Sequence, residues 1–243
     1  AARAGGHKRF FTAVASAAVA ASVPGMEVYG VEHLVDLVEC LHGRTPMVPA
    51  TPVESDVTGA SPDIDMNIIR GQHRARRALE VAAAGGYNLL FVGPPGCGKT
   101  LLARALPGIL PPMTVTERLE ATQVHGVSCL GTRSGVVSRR PFRAPHATAS
   151  YAALVGGGNS PHPGEVSLAH RGVLFLDETP EFSRAALEAL RAPLEDRFVT
   201  IARSGRHVRF PASFSLVCAM NPCPCGHRGD PARTCRCTPL QVE

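Results

Sequence analysis

Gly93-Pro94-Pro95-Gly96-Cys97-Gly98-Lys99-Thr100 lies between an apolar run, Tyr87 to Val92, and a helical pattern that opens at Leu101 and is stopped by Pro111-Pro112. A spacing of G-x-x-x-x-G-K-[ST], in the order strand, turn, helix, suits the cradling of phosphate groups. The glycines leave backbone N–H groups open to close approach, and the start of the following helix adds a favourable dipole. Lys99 supplies a cation for β- and γ-phosphates, and the Thr100 hydroxyl is a ligand for Mg²⁺. The stretch from Gly93 through Leu101 is therefore the candidate nucleotide cradle.

A nucleotide site that hydrolyses needs a second, acidic element at the end of a neighbouring strand. Val173-Leu174-Phe175-Leu176 runs straight into Asp177-Glu178. In isolation such a pair is ordinarily a strand end or a helix cap. Beside a phosphate loop it reads as catalytic: Asp177 to hold Mg²⁺, Glu178 to orient and deprotonate the attacking water. Asn221, at the end of a third buried run from Phe214 to Ala219, is placed to reach the γ-phosphate or that water, with turn chemistry before Pro222 as its alternative. Helices are expected over Gly71 to Ala84, Thr116 to Val124 and Ser183 to Glu195, the last with Ser183 as N-cap, while Gly131 to Gly164 reads as loop. Phe198 to Ala202 and His207 to Phe210, joined around Ser204-Gly205, form a β-hairpin. Buried strands alternating with helices predict an α/β domain, a parallel sheet flanked by helices with a β-hairpin insertion.

With 44% apolar and 19% charged residues the chain can bury a core, and no apolar run approaches the roughly 18 residues of a membrane-spanning helix. No membrane partner is expected. Phe10 to Val23, after His7-Lys8-Arg9, imitates a signal peptide; an Ala-rich helix turning into a strand near Val28 to Val31 is the better-supported reading. In Val31 to His42, the residues Val31, Leu34, Val35, Val38 and Leu41 recur at helical spacing. From Gly43 to Asp65 the pattern stops, and Pro46, Pro49, Pro52 and Pro62 mark a linker. The domains expected are thus a short α/β piece over 1–43, a linker over 44–65 and a larger unit over 66–243.

The chain is identified as similar to the AAA+ ATPases related to the magnesium-chelatase ATPase subunit, and within them to the bacterial ComM-type, magnesium-chelatase-like proteins. Beyond the phosphate loop and the acidic strand end, the resemblance rests on Arg70-Gly71-Gln72, Arg140 to His146, Pro163 to His170, Pro193-Leu194-Glu195-Asp196 and Asn221-Pro222-Cys223-Pro224-Cys225-Gly226. It implies a ring-forming ATPase, a homo-oligomer of hexameric type, binding Mg-ATP between subunits. By motif, Lys99 and Thr100 are the phosphate and Mg²⁺ contacts, Asp177 and Glu178 the Mg²⁺ and water-activating pair, and Asn221 the sensor. Ile69, Gly71 and Gln72 match the segment bordering adenine. Residues 1–43 resemble the end of the Lon-protease-like domain that precedes such an ATPase. The chain departs from the family at Ala147, where relatives carry a second histidine, and the arginine finger and second sensor are expected beyond Glu243.

Eight cysteines are too few for a disulfide scaffold in a chain of this length, and four of them, Cys223, Cys225, Cys235 and Cys237, crowd together. Four thiolates suffice for tetrahedral Zn²⁺, although single-residue gaps are unusual, and four reduced thiols in a Pro/Gly turn are the alternative. The compartment reads as reducing and cytoplasmic. Arg203, Arg206 and Arg209 in the hairpin, with Arg228, Arg233 and Arg236 near the cysteines, suit sequence-independent contact with a nucleic-acid backbone, against the alternative of a solvated basic surface on a chain of net charge +5. The resemblance implies a DNA motor for branch migration; a metal-insertase ATPase subunit is the second function considered and an ATP-dependent protease the third. The protease is disfavoured because no Ser/Lys catalytic pair can be placed in residues 1–43.

Overall fold

The computed structural model describes residues 2–3, 5–52, 64–128, 135–158, 161–203, 206–229 and 233–242, with Arg203 and Arg206 described by backbone alone. Backbone proximity divides it into two units, Ala1–Gly59 with Met113–Arg139, and Ala60–Pro112 with Arg140–Glu243.

The first unit opens with β1 (Arg9–Ala13), α1 (Val14–Ala21), β2 (Glu27–Val31) and α2 (Leu34–Leu41). The Ala-rich helix thus begins four residues later than expected. Arg-Phe-Phe-Thr is instead strand, pairing in parallel with β2 from Arg9↔Glu27 to Ala13↔Val31 and stacking Phe11 on Tyr29 at 5.2 Å between ring centres. Aromatic and β-branched side chains suit that half-buried pleat better than a helix face. Over Val31 to His42 the helical spacing is realised, yet α2 buries none of its residues, and Leu34 is 74% exposed. The expected linker is anchored within this unit, since the Ala50 amide donates to the Val28 carbonyl at 2.7 Å. Its middle, residues 53–63, lies outside the described residues.

The second unit begins with α3 (His73–Gly85), β3 (Leu89–Val92) and α4 (Lys99–Ile109). Next along the chain, α5 (Val115–Val127) belongs to the first unit. Thr114 accepts from the Glu117 amide while Glu117 accepts from the Thr114 amide, a reciprocal cap. The stretch expected to be loop, Gly131 to Gly164, contains β4 (Phe142–Arg143), α6 (Tyr151–Val155), β5 (Gly156–Gly157) and β6 (His162–Pro163). Then follow α7 (Glu165–Leu168), β7 (Val173–Leu176), α8 (Arg184–Glu188), α9 (Arg191–Asp196), β8 (Phe198–Arg203), β9 (Arg206–Pro211), β10 (Ser215–Met220) and α10 (Pro239–Val242). The single helix expected from Ser183 is two, because Pro193 has no N–H to offer the preceding turn. Ser183 caps α8, its hydroxyl accepting from the Ala186 amide at 3.2 Å.

Four strands form one wholly parallel sheet in the order β3-β10-β7-β4. All four residues of β7 are buried, Val173 and Phe175 towards a cluster with α3 and α4, Leu174 and Leu176 towards one containing α6, α8 and the hairpin β8–β9. That double burial is why the strand reads as an unbroken apolar run. The hairpin pairs Phe198↔Pro211 through Arg203↔Arg206. No described helix is long and apolar enough to cross a membrane.

Candidate nucleotide site and cysteine cluster

The sheet order does the assembling. β10 lies between β3 and β7, and all three run the same way, so their C-terminal ends bring the phosphate loop, Asn221 and Asp177-Glu178 to one edge of the sheet. A cavity of about 420 Å³ opens there, lined by residues that include Gly96, Lys99, Thr100, Asp177, Glu178 and Asn221.

Lys99, the first residue of α4, directs its ammonium to three oxygens: the carbonyls of Gly93 at 2.7 Å and Pro94 at 3.0 Å, and Asn221 Oδ1 at 3.1 Å. Thr100 Oγ1 donates to Asp177 Oδ2 at 2.8 Å, uniting the two proposed Mg²⁺ ligands. Gly96 and Gly98 adopt φ of +76° and +90°, where a side chain is strained, and that curls the loop's amides towards the helix start. Glu178 itself sits at φ +49°, left-handed backbone that costs a glutamate on the order of 1 kcal/mol or more. The strain turns the chain sharply off β7, and Asp177 Oδ1 accepts from the Glu178 amide at 3.0 Å.

Of the residues matched to the adenine-bordering segment, Ile69 is buried in the core under the sheet, and Gln72, at φ +49°, donates from Nε2 to the Cys97 carbonyl of the phosphate loop at 3.2 Å. Gly71, at φ +68°, has open space around it. None of the three lines the cavity. Sequence reasoning missed Met220, which does line it, and Thr179, whose hydroxyl reaches the carbonyls of Leu176 at 3.0 Å and Ala219 at 3.2 Å and so clamps β7 to β10 beside the site. A threonine after Asp-Glu carries no local signal of that role. The resemblance segments around Arg140 and Glu165 are joined to each other: Arg143 grips Glu165 with two bonds of 2.6 Å, while Arg140 donates to the carbonyls of Pro111 and Arg171 at 2.7 Å each.

Cys223, Cys225, Cys235 and Cys237 converge, every sulfur within 4.8 Å of the others. Cys223 Sγ lies 3.4 Å from Cys225 Sγ and 3.7 Å from Cys235 Sγ, and Cys225 and Cys235 are 3.7 Å apart. Zn²⁺ bonded tetrahedrally at about 2.3 Å to each sulfur requires sulfurs about 3.8 Å apart, close to these separations. The backbone N–H groups of His227 and Arg236, ahead of the neighbouring Cys223 and Cys237 thiols, pull the Cys225 thiol down to about 6. Arg209 is exposed and lies 3.2 Å over the Phe198 ring. It pairs in register with Thr200, whereas Arg203 and Arg206 pair with each other at the hairpin's end, and their side chains lie outside the described residues.

The chain matches the family described as magnesium chelatase, subunit ChlI, over residues 65–243. It is 48% identical over 211 residues to competence protein ComM of Haemophilus influenzae, covering 86% of this chain and 42% of that protein. To the uncharacterized protein YifB of Salmonella typhimurium it is 44% identical over 212 residues, covering 87% of this chain and 41% of the relative. It therefore spans about two fifths of the length of these curated relatives. A solved complex between subunits BchI and BchD of magnesium chelatase shares the fold, with a TM-score of 0.54 at 23% identity over 75% of this chain and 59% of that one. The matched span starts at residue 65, so β1 to α2 lies outside it. The phosphate loop, the acidic strand end and the parallel sheet that unites them all fall within that span, and the chain belongs to the magnesium chelatase ChlI family of AAA+ ATPases.

Proposed function

We propose that the chain is the nucleotide-binding core of a ComM-type motor that hydrolyses ATP and acts on DNA in branch migration, working as a hexameric ring of identical subunits. The observation that carries the ATPase reading is the convergence of Lys99 with Asn221 and of Thr100 with Asp177 around one cavity. Lys99 meets the phosphates and Asn221 senses the terminal one. Two hard oxygen ligands, Thr100 Oγ1 and Asp177 Oδ2, fit Mg²⁺, which when bound offsets charge on the β- and γ-oxygens. Glu178 orients the attacking water and takes its proton. The identity to a competence protein and the exposed Arg209 support DNA as the substrate. In the same reading the four cysteines hold Zn²⁺ in a reducing cytoplasm, and β1 to α2 is the end of a preceding Lon-protease-like domain.

The BchI–BchD likeness keeps a second reading in view, an ATPase subunit that serves a metal-inserting partner. ATP turnover by the full-length protein separates the two. The expected result is stimulation by single-stranded DNA and none by a chelatase partner subunit or an unfolded protein; stimulation by the chelatase partner alone would replace the DNA reading.

A further inference from the structure

The cysteine turn touches the nucleotide site at two points. Asn221, whose Oδ1 accepts from Lys99, is separated from the first thiolate, Cys223, by Pro222 alone, a residue with a fixed φ. Gly226, directly after Cys225, is buried against the phosphate loop. A Cβ built on it would lie 2.7 Å from Pro95 Cδ and 3.0 Å from Pro95 Cγ, and its φ of +79° is itself glycine backbone. The far half of the cluster is tied to the near half through its sulfurs and through the Cys225 amide, which donates to Cys237 Sγ at 3.4 Å.

We propose that the four-cysteine turn is a positioning device for ATP binding: Zn²⁺ held by Cys223, Cys225, Cys235 and Cys237 seats Gly226 against Pro95 and Asn221 against Lys99, so nucleotide affinity depends on the metal. The inference rests on the zinc reading above. Thiol contacts alone are weak, whereas four Zn–S bonds close the segment between the two Cys-x-Cys pairs and make the turn rigid. A rigid turn braces the phosphate loop at Pro95 and at Lys99; a loose one lets Pro95 and Asn221 move and weakens the cradle for phosphate. Gly226 is then a positioning residue and the cysteines metal ligands, none of them touching nucleotide.

The test uses the full-length protein, zinc measured by elemental analysis and affinity measured with a fluorescent ATP analogue. Wild type should carry about one zinc per chain, and chelator treatment should raise the Kd reversibly, with added Zn²⁺ restoring it. Gly226→Ala keeps all four thiolates and should retain zinc while raising the Kd by about three- to tenfold. Gly229→Ala separates contact from backbone strain: Gly229 has φ +80° but nothing within 4 Å of a built Cβ, so this variant should bind ATP like wild type. Pro95→Ala removes the atoms a Gly226 side chain would strike, so adding Gly226→Ala to it should cost less affinity than in wild type. Zinc present with a Kd indifferent to its removal and to Gly226→Ala, or equal losses in the two glycine variants, would overturn the coupling and leave the zinc reading standing. No zinc in reduced, freshly purified wild type would overturn both.

Discussion

Lys99 has three N–H donors and places them on three oxygens, two carbonyls of its own loop and the Asn221 amide across the sheet. On the proposed ATPase reading, Lys99→Ala removes the cation that meets phosphate in the ground state, so the ATP Kd should rise by about a hundredfold or more. On the same reading Glu178→Gln should bind ATP as wild type does yet lose about 10²–10⁴ in turnover, since the carboxylate is there assigned to the attacking water in the transition state. Titration calorimetry and phosphate release check the pair, and unchanged affinity in Lys99→Ala would end the assignment. Arg143 and Glu165 give a stability prediction at the same scale. Their side chains are 24% and 23% exposed, so part of their attraction is screened. Arg143→Met should cost about 1–3 kcal/mol, largely because Glu165 is left half-buried and unpaired, and adding Glu165→Gln should recover part of the lost Tm.

At the scale of elements, the least tolerant junction lies where β4 meets β7. Val173 donates to the Pro141 carbonyl at 2.8 Å, and a Cβ on the preceding Gly172 would run into that same carbonyl. Gly172→Ala should therefore push the edge strand off the sheet and cost more than the usual 0.5–3 kcal/mol of a point change, read as a shifted denaturant midpoint. The hairpin shows how far pattern reaching from sequence can go. Its strands and their pairing were legible, because Val199, Ile201 and Phe210 are buried in alternation with exposed Thr200 and Arg209. Other elements misled: α2 has its apolar spacing without burial, and α8 and α9 part at Ala189-Leu190, a turn ahead of Pro193, in what periodicity alone joins.

For the whole molecule the prediction is electrostatic. If Arg203, Arg206 and Arg209 meet a nucleic-acid backbone, single-stranded DNA should leave the full-length protein as salt rises, by about 0.7 log units of affinity per log unit of salt for each phosphate neutralised. Replacing the three arginines should flatten that slope and leave ATP binding intact, since such contacts are screened within about 10 Å. Fluorescence anisotropy over a salt series reads both; an unchanged slope returns the hairpin arginines to a solvated surface.

What the amino-acid order determined by itself is local pattern carried by neighbouring residues: the glycine turn that ends in Lys99-Thr100, the apolar strand that ends in Asp177-Glu178, the two Cys-x-Cys pairs. These were legible because turn geometry, strand burial and ligand identity are local properties. The tertiary structure alone decided that β10 lies between β3 and β7, which sets Asn221 on Lys99, and that Gln72 reaches the Cys97 carbonyl, Arg143 reaches Glu165 and Gly226 abuts Pro95. Each of those contacts joins residues distant in the chain. Their partners are chosen by how the sheet buries both faces at once, a condition on the whole packed unit that no single stretch of sequence contains.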